Sequence, residues 1–167
     1  MKEAALIVIK PDCIAKGIVG DVFKKFDLAN LEMVALRLTK ITRELAEEHY
    51  RHIKGEPYFE GVIKYIMGKY HDEDKVIAFV LYGKSAIKKC RRIAGATNPE
   101  KASPKSLRGA YGRITTEGVF ENVVHVSSDP KEARREIQMW FQPEEILVNL
   151  YPVKTRAVNG KREKAWK

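Results

Sequence analysis

His125 stands inside the short apolar run Val123 to Val126 and is followed by Ser127 and Ser128. An imidazole that is neutral near physiological pH can act as a nucleophile or carry a proton. Eleven residues on comes Glu136, at the seam of a helical pattern whose apolar face is Ala133, Ile137, Trp140 and Phe141. A carboxylate there can turn back to one imidazole nitrogen, fix the tautomer and leave the other nitrogen as the nucleophile. It can equally pair with a surface Lys or Arg. A lone histidine on a strand is more often a plain core or surface residue.

The second group comprises cations and hydroxyls on separate segments: Lys10, Arg91, Arg92, Thr97 and Arg108. Transfer of a phosphoryl group is catalysed mainly by positioning and by fixed donors that stabilise charge on its equatorial oxygens, which such residues supply. Taken singly, each is solvated surface in a chain with 31 Lys and Arg. No Walker loop, GxGxxG, HExxH or GxSxG occurs. The two cysteines, Cys13 and Cys90, have no metal-ligand or disulfide spacing, so both are expected as reduced thiols. His49 and His52 lack a nearby third ligand and are assigned no metal, and His71 falls in a polar turn.

These residues need elements to hold them. Ala4 to Ile9 is a continuous apolar run, a strand covered on both faces that ends at Lys10-Pro11-Asp12. Val19, Val22, Phe23 and Phe26 have helical spacing. From Met33 to Ile41 alternation predicts a half-buried strand with Val34, Leu36 and Leu38 inward. Thr42 is a candidate cap for a helix burying Leu45, His49 and Ile53, and a second helical run carries Val62, Ile63, Ile66 and Met67. Val76 to Tyr82 is a central strand, Ser85 a cap for a helix ending near Gly95, and 96–107 an irregular stretch. Val123 to Val126 is a fourth strand, and Asp129-Pro130-Lys131-Glu132 opens the last helix as cap, first-turn proline and capping-box acid. The result is an α+β protein: a ferredoxin-like βαββαβ unit, its antiparallel sheet covered by helices, with helical insertions.

At this point a family resemblance emerges. Ile9-Lys10-Pro11-Asp12, Gly17-Ile18-Val19-Gly20, His49-Tyr50, Pro57-Tyr58-Phe59, Gly61 to Tyr65, Gly95-Ala96-Thr97-Asn98-Pro99, Leu107-Arg108-Gly109, Asn122-Val123-Val124-His125 and Glu136 to Phe141 occur in order. Together they resemble nucleoside diphosphate kinase over about residues 4–148. The resemblance implies a homo-oligomer, hexamer or tetramer, and ping-pong transfer of the γ-phosphate of magnesium-ATP to a histidine and then to a nucleoside diphosphate. It implies His125 as the phosphorylated residue, Glu136 as its orienting carboxylate and Lys10 as a catalytic cation. Lys10, Tyr50, Arg91, Thr97, Arg108 and Asn122 would hold phosphates and ribose, Ser127 would lie near the phosphohistidine, and Phe59 would pack on the base. Magnesium would ride mainly on the nucleotide phosphates. Arg91 rather than Arg92 takes the arginine role, counting back from Gly95. The chain departs from the family pattern at Ala110 after Arg108-Gly109, at Val126 after the histidine and in the long segment 111–121, which looks more like archaeal-type sequences.

The resemblance divides the chain into a kinase-like domain, 1–150, and a basic C-terminal extension, 151–167, which carries +5 of the +9 formal charge. A competing class follows from the tail: a nucleotide- or nucleic-acid-binding homologue whose cations contact phosphate backbones beside Tyr151 and Trp166. No RNP-type aromatic motif supports it, and Gly17 to Gly20 is a weak match to a KH loop. The longest apolar run, Val76 to Tyr82, is far short of the roughly 18 residues of a membrane span, and the first residues hold no cleavable apolar region, so a cytosolic protein is expected.

Overall fold

The computed structural model describes residues 2–158 and 161–167. Its centre is a four-stranded sheet of β1 (Lys2–Ile9), β2 (Glu32–Lys40), β3 (Lys75–Lys84) and β6 (Val124–Val126), in the order β2-β3-β1-β6 with every pair antiparallel. That is the ferredoxin-like order. The apolar runs of β1 and β3 serve two faces, as an inner strand requires. Ala4, Leu6 and Val8 point to one core, and Ala5, Ile7 and Ile9 to the other.

Helices α1 (Pro11–Ala15), α2 (Val19–Asp27), α5 (Ala86–Ala94) and α6 (Leu107–Tyr111) belong to the second core through Cys13, Val22, Phe26, Ile87, Cys90 and Leu107. The first core lies under α3 (Arg43–His49), α4 (Phe59–Ile66) and most of α7 (Pro130–Trp140). The helical insertion thus covers the face that a bare βαββαβ unit leaves open. Two capping expectations change in detail. Thr42 and Asp129 cap α3 and α7 through their side chains, but Glu132 bonds Arg135 and makes no capping box with Asp129. Ser85 sits at the start of α5 with φ 54° and no capping bond, and Glu3 of β1 accepts from the Ile87 N–H instead.

One correction concerns β2. A bulge between Met33 and Ala35 places Val34 and Ala35 both inward, and the residues that follow then face the opposite way. Leu36 and Leu38, expected inside, are 57% and 63% exposed.

Between α6 and β6 the short strands β4 (Arg113–Ile114) and β5 (Phe120–Glu121) form a small ribbon. After α7 the chain passes beside β2, where the Leu147 N–H bonds the Val34 carbonyl. The extension forms a hairpin of β7 (Val153–Val158) and β8 (Lys161–Trp166). Trp166 anchors it: its indole N–H donates to the Phe141 carbonyl at 2.9 Å, and its ring packs on the first core. Among the described residues no helix is long and apolar enough to cross a membrane.

Candidate active site

Strand alternation on β6 sends Val124 and Val126 into the second core and His125 toward the inserted helices. His125 Nε2 lies 2.8 Å from Glu136 Oε1, and the Ser127 hydroxyl donates to Glu136 Oε2 at 2.5 Å. Burial favours protonation of Glu136. The His125 charge and the hydrogen bonds from His125 and Ser127 outweigh it and hold the carboxyl below its usual value. A carboxylate only accepts, so Nε2 carries a proton in either form of the ring, and in the neutral form Nδ1 keeps the lone pair.

His49 closes one side, edge-on to the His125 ring with centroids 4.3 Å apart. The Trp140 indole N–H donates to His49 Nδ1 at 3.1 Å. Burial, then the charges of His125, Arg135, Lys10 and His52, push the His49 pKa well down, so the ring is a neutral wall. His49, His125 and Glu136 bring potential metal-ligand atoms within 4.8 Å of one another. Both Glu136 oxygens are already engaged by His125 and Ser127.

Two residues before His125, Val123 has φ 56°, a conformation β-branched residues rarely adopt. The Val124 N–H bonds the Asn122 carbonyl at 2.6 Å, closing a γ-turn around it. Such strain costs about 1–3 kcal/mol and persists only when the surroundings over-determine it. Here buried groups do so. Asp12 Oδ2 accepts from the Val123 N–H at 3.2 Å. The Tyr65 hydroxyl donates to Asp12 Oδ1 at 2.7 Å and accepts from the Asn122 N–H at 3.0 Å.

Lys10, at the end of β1, donates to Asn122 Oδ1 at 2.6 Å, and Asn122 Nδ2 donates to the Thr97 carbonyl at 2.8 Å. The ammonium is buried over the Tyr65 ring. Burial first and the Arg108 charge second, partly opposed by Asp12, push it down to about 7. Arg108 is fixed by the carbonyls of Gly95 and Val124, both at 2.9 Å. Burial, opposed by Tyr50 and aided by Arg91, takes it down to about 10. Residue 109, within α6, is glycine because the helix packs closely on the segment before it: a Cβ there would collide with the Ser103 carbonyl.

Lys10, Tyr50, Tyr58, Thr97, Phe120 and Asn122 line part of a cavity of about 640 Å³. The Tyr50 hydroxyl is buried without a partner, and burial raises its pKa, so it stays a donor.

The sequence model of the family described as "Nucleoside diphosphate kinase" matches residues 3–146. The chain belongs to that family. It is 39% identical over 144 residues to a nucleoside diphosphate kinase of Pyrococcus furiosus, covering 86% of each chain. With one of Carboxydothermus hydrogenoformans it shares 41% over 145 residues, 87% of this chain and 91% of the other. Among solved structures, the Borrelia burgdorferi kinase, a transition-state mimic with vanadate and ADP, superposes with a TM-score of 0.78 at 31% identity, over 89% of this chain and 92% of that one. The Halobacterium salinarum kinase in complex with CDP gives 0.77 at 30%, over 87% and 91%.

Of the residues that the nucleoside diphosphate kinase resemblance implied, Lys10, Tyr50, Thr97 and Asn122 line the cavity, His125 and Glu136 meet beside the Tyr50 ring, and Arg108 is held on the Gly95 and Val124 carbonyls outside the lining. Arg91 is exposed on the last turn of α5, near enough to Arg108 to weaken its charge, whereas Arg92 faces a different cleft. Ser127 is fully buried behind Glu136 and presents nothing to the cavity. Phe59 packs against the first core, and Tyr58, one residue earlier and 56% exposed, lines the cavity together with Tyr50, Tyr65, Tyr70 and Phe120. Asp12, His49, Tyr65 and Trp140 were missed as supports. A buried Asp and Tyr, each inside a recognisable string, were the available signal.

Proposed function

We propose that this chain is a nucleoside diphosphate kinase whose phosphorylated residue is His125. The observation that carries the reading is the imidazole held through Nε2 by Glu136, whose other oxygen is held by Ser127, beside the ring of Tyr50, whose buried hydroxyl has no partner. In the first half-reaction the Nδ1 lone pair forms a bond to the γ-phosphorus of a nucleoside triphosphate. The bond to the β,γ-bridging oxygen breaks, and its electron pair leaves on the diphosphate. The ring becomes cationic, and Glu136 stabilises the Nε2 proton through the 2.8 Å contact. In the second, a terminal oxygen of another nucleoside diphosphate attacks the same phosphorus and the N–P bond breaks.

Lys10, Tyr50, Arg91, Thr97, Arg108 and Asn122 are the groups for phosphate and ribose. Tyr58 and Phe120 offer aromatic faces on which any base can stack without base-specific hydrogen bonds. A magnesium ion fits this donor set when held mostly by phosphate oxygens, since Glu117 is the cavity's own lining carboxylate and the rest is cationic or neutral. The ion supplies neutralisation of the phosphate charge.

Assembly as a homo-oligomer, tetramer or hexamer, is supported by β2, an edge strand that displays Leu36 and Leu38. A cytosolic location suits the buried free thiols of Cys13 and Cys90. A second role for the extension, nucleic-acid binding, is favoured by its position beyond the family match and by its hairpin, which presents Lys154, Arg156, Arg162 and Lys164 as exposed cations.

Initial rates with ATP and a second nucleoside diphosphate test the reading. Parallel double-reciprocal lines are expected, and intersecting lines would replace the covalent intermediate with direct transfer.

A further inference from the structure

A second concavity lies between α2, α5 and the segment before α6. Its volume is about 550 Å³, and it shares no lining residue with the cavity of Lys10, Tyr50 and Asn122. Four cations line it: Lys25, Lys89, Arg92 and Lys105. No carboxylate is among its lining residues, and none of the four takes part in an ion pair among the described residues. Elsewhere on this surface Arg43, Arg51 and Arg113 find acidic partners.

Two of the ammonium groups rest on neutral backbone oxygens, Lys25 on the Lys105 carbonyl at 3.3 Å and Lys89 on the Ala29 carbonyl at 2.9 Å. These contacts fix where the charges stand and compensate neither. Arg92 is exposed on α5 and makes no side-chain hydrogen bond among the described residues, so its planar fork is available for bidentate contact with phosphate. The remaining wall combines the hydroxyl residues Ser103 and Ser106 with an apolar side of Ala29, Ile93 and Leu28, the last 79% exposed. Uncompensated positive charge around a cavity of ligand size, with an apolar wall beside it, selects a compact anion that carries both charge and an apolar or ring portion.

We infer that this cleft is a second binding site, for a small organic polyphosphate. Its phosphates bridge Arg92, Lys89, Lys25 and Lys105, and its ring or apolar portion lies over Leu28 and Ile93. The site adjoins the catalytic machinery from behind. Ser106, in the cleft wall, accepts the Gly109 N–H as the cap of α6, the helix that carries Arg108.

The test is calorimetric titration of the full chain with the non-transferable analogue adenosine 5′-(β,γ-imido)triphosphate. Two sites per chain are expected, the second weaker and strongly salt-dependent. The double substitution Arg92→Glu with Lys105→Glu is expected to weaken the second site at least tenfold, leaving the first site and kinase turnover unchanged, which also certifies folding. The converse change, Tyr58→Ala, is expected to weaken the first site alone. One site per chain in the unsubstituted protein, or a second site indifferent to the double substitution, would overturn the assignment. Kinase turnover is measured separately, so neither result bears on the role of His125.

Discussion

Ser127 Oγ and the Glu136 carboxylate are 2.5 Å apart, on the side of Glu136 away from the His125 contact. The carboxylate is therefore held at both oxygens, and the imidazole it bonds is fixed in tautomer as well as orientation. Glu136→Gln retains the shape and removes the charge that stabilises the phosphorylated ring. Phosphohistidine formation, followed by rapid quench, is expected to fall by about 10²–10³-fold, with nucleotide affinity changed by no more than about twofold. Ser127→Ala should give a smaller loss of the same kind.

Lys10 links binding to protons. Its pKa of about 7 in the empty site means that at pH 8 most molecules hold a neutral amine there. A polyphosphate favours the charged form, so binding at pH 8 should take up close to one proton and binding at pH 6 much less. Calorimetry in buffers of different ionisation enthalpy measures this uptake, and Lys10→Met should abolish it. The same shift affects folding. Between pH 7 and 10.5 the unfolded chain binds the extra proton at this residue, so its contribution makes the fold more stable as pH rises through that window.

Tyr65→Phe removes a donor to Asp12 and the acceptor of the Asn122 N–H, leaving a buried backbone group unpaired beside the strained turn at Val123. The expected cost in stability is about 1–3 kcal/mol by denaturant unfolding. Where the protein remains folded, kcat is expected to fall more than KM rises, because the turn positions His125.

Adjacent aromatics separate base stacking from core packing. Tyr58→Ala is expected to raise KM for purine and pyrimidine nucleotides alike with little change in melting temperature. Phe59→Ala should instead destabilise the fold by roughly 1–3 kcal/mol and leave KM nearly unchanged. The reverse pattern would restore Phe59 as the stacking residue.

Trp166→Ala removes the indole bond to the Phe141 carbonyl and the ring packed on the first core. Limited proteolysis is expected to cut within 151–167 much faster in this variant, while kinase turnover persists.

Much of this molecule was legible because its strongest patterns are local. The unbroken apolar runs of β1 and β3, the cap at Asp129 and the face of α7 all stand where the sequence places them. Strand β2 misled because one bulged residue reverses every later side chain, and alternation cannot reveal where the extra residue falls. Phe59 and Tyr58 lie at the junction into α4, where a single residue turns a side chain from the core to the cavity, and no periodicity marks which of them faces which. The network of Asp12, Tyr65 and Val123 joins residues up to 111 apart and leaves no periodic trace. The extension is read from its cations with Tyr151 and Trp166 and not as a hairpin, yet Asn159-Gly160, which lie outside the described residues, are a strong sequence signal for one.

The central claim is that the phosphoryl group rests on His125. The direct test is to incubate the protein with magnesium and γ-labelled ATP without acceptor, map the labelled peptide, and chase with a second nucleoside diphosphate. Acid-labile, base-stable label on His125 that is lost on the chase, and absent from His125→Ala, is the predicted result. Label elsewhere, or transfer that persists in His125→Ala, would contradict it.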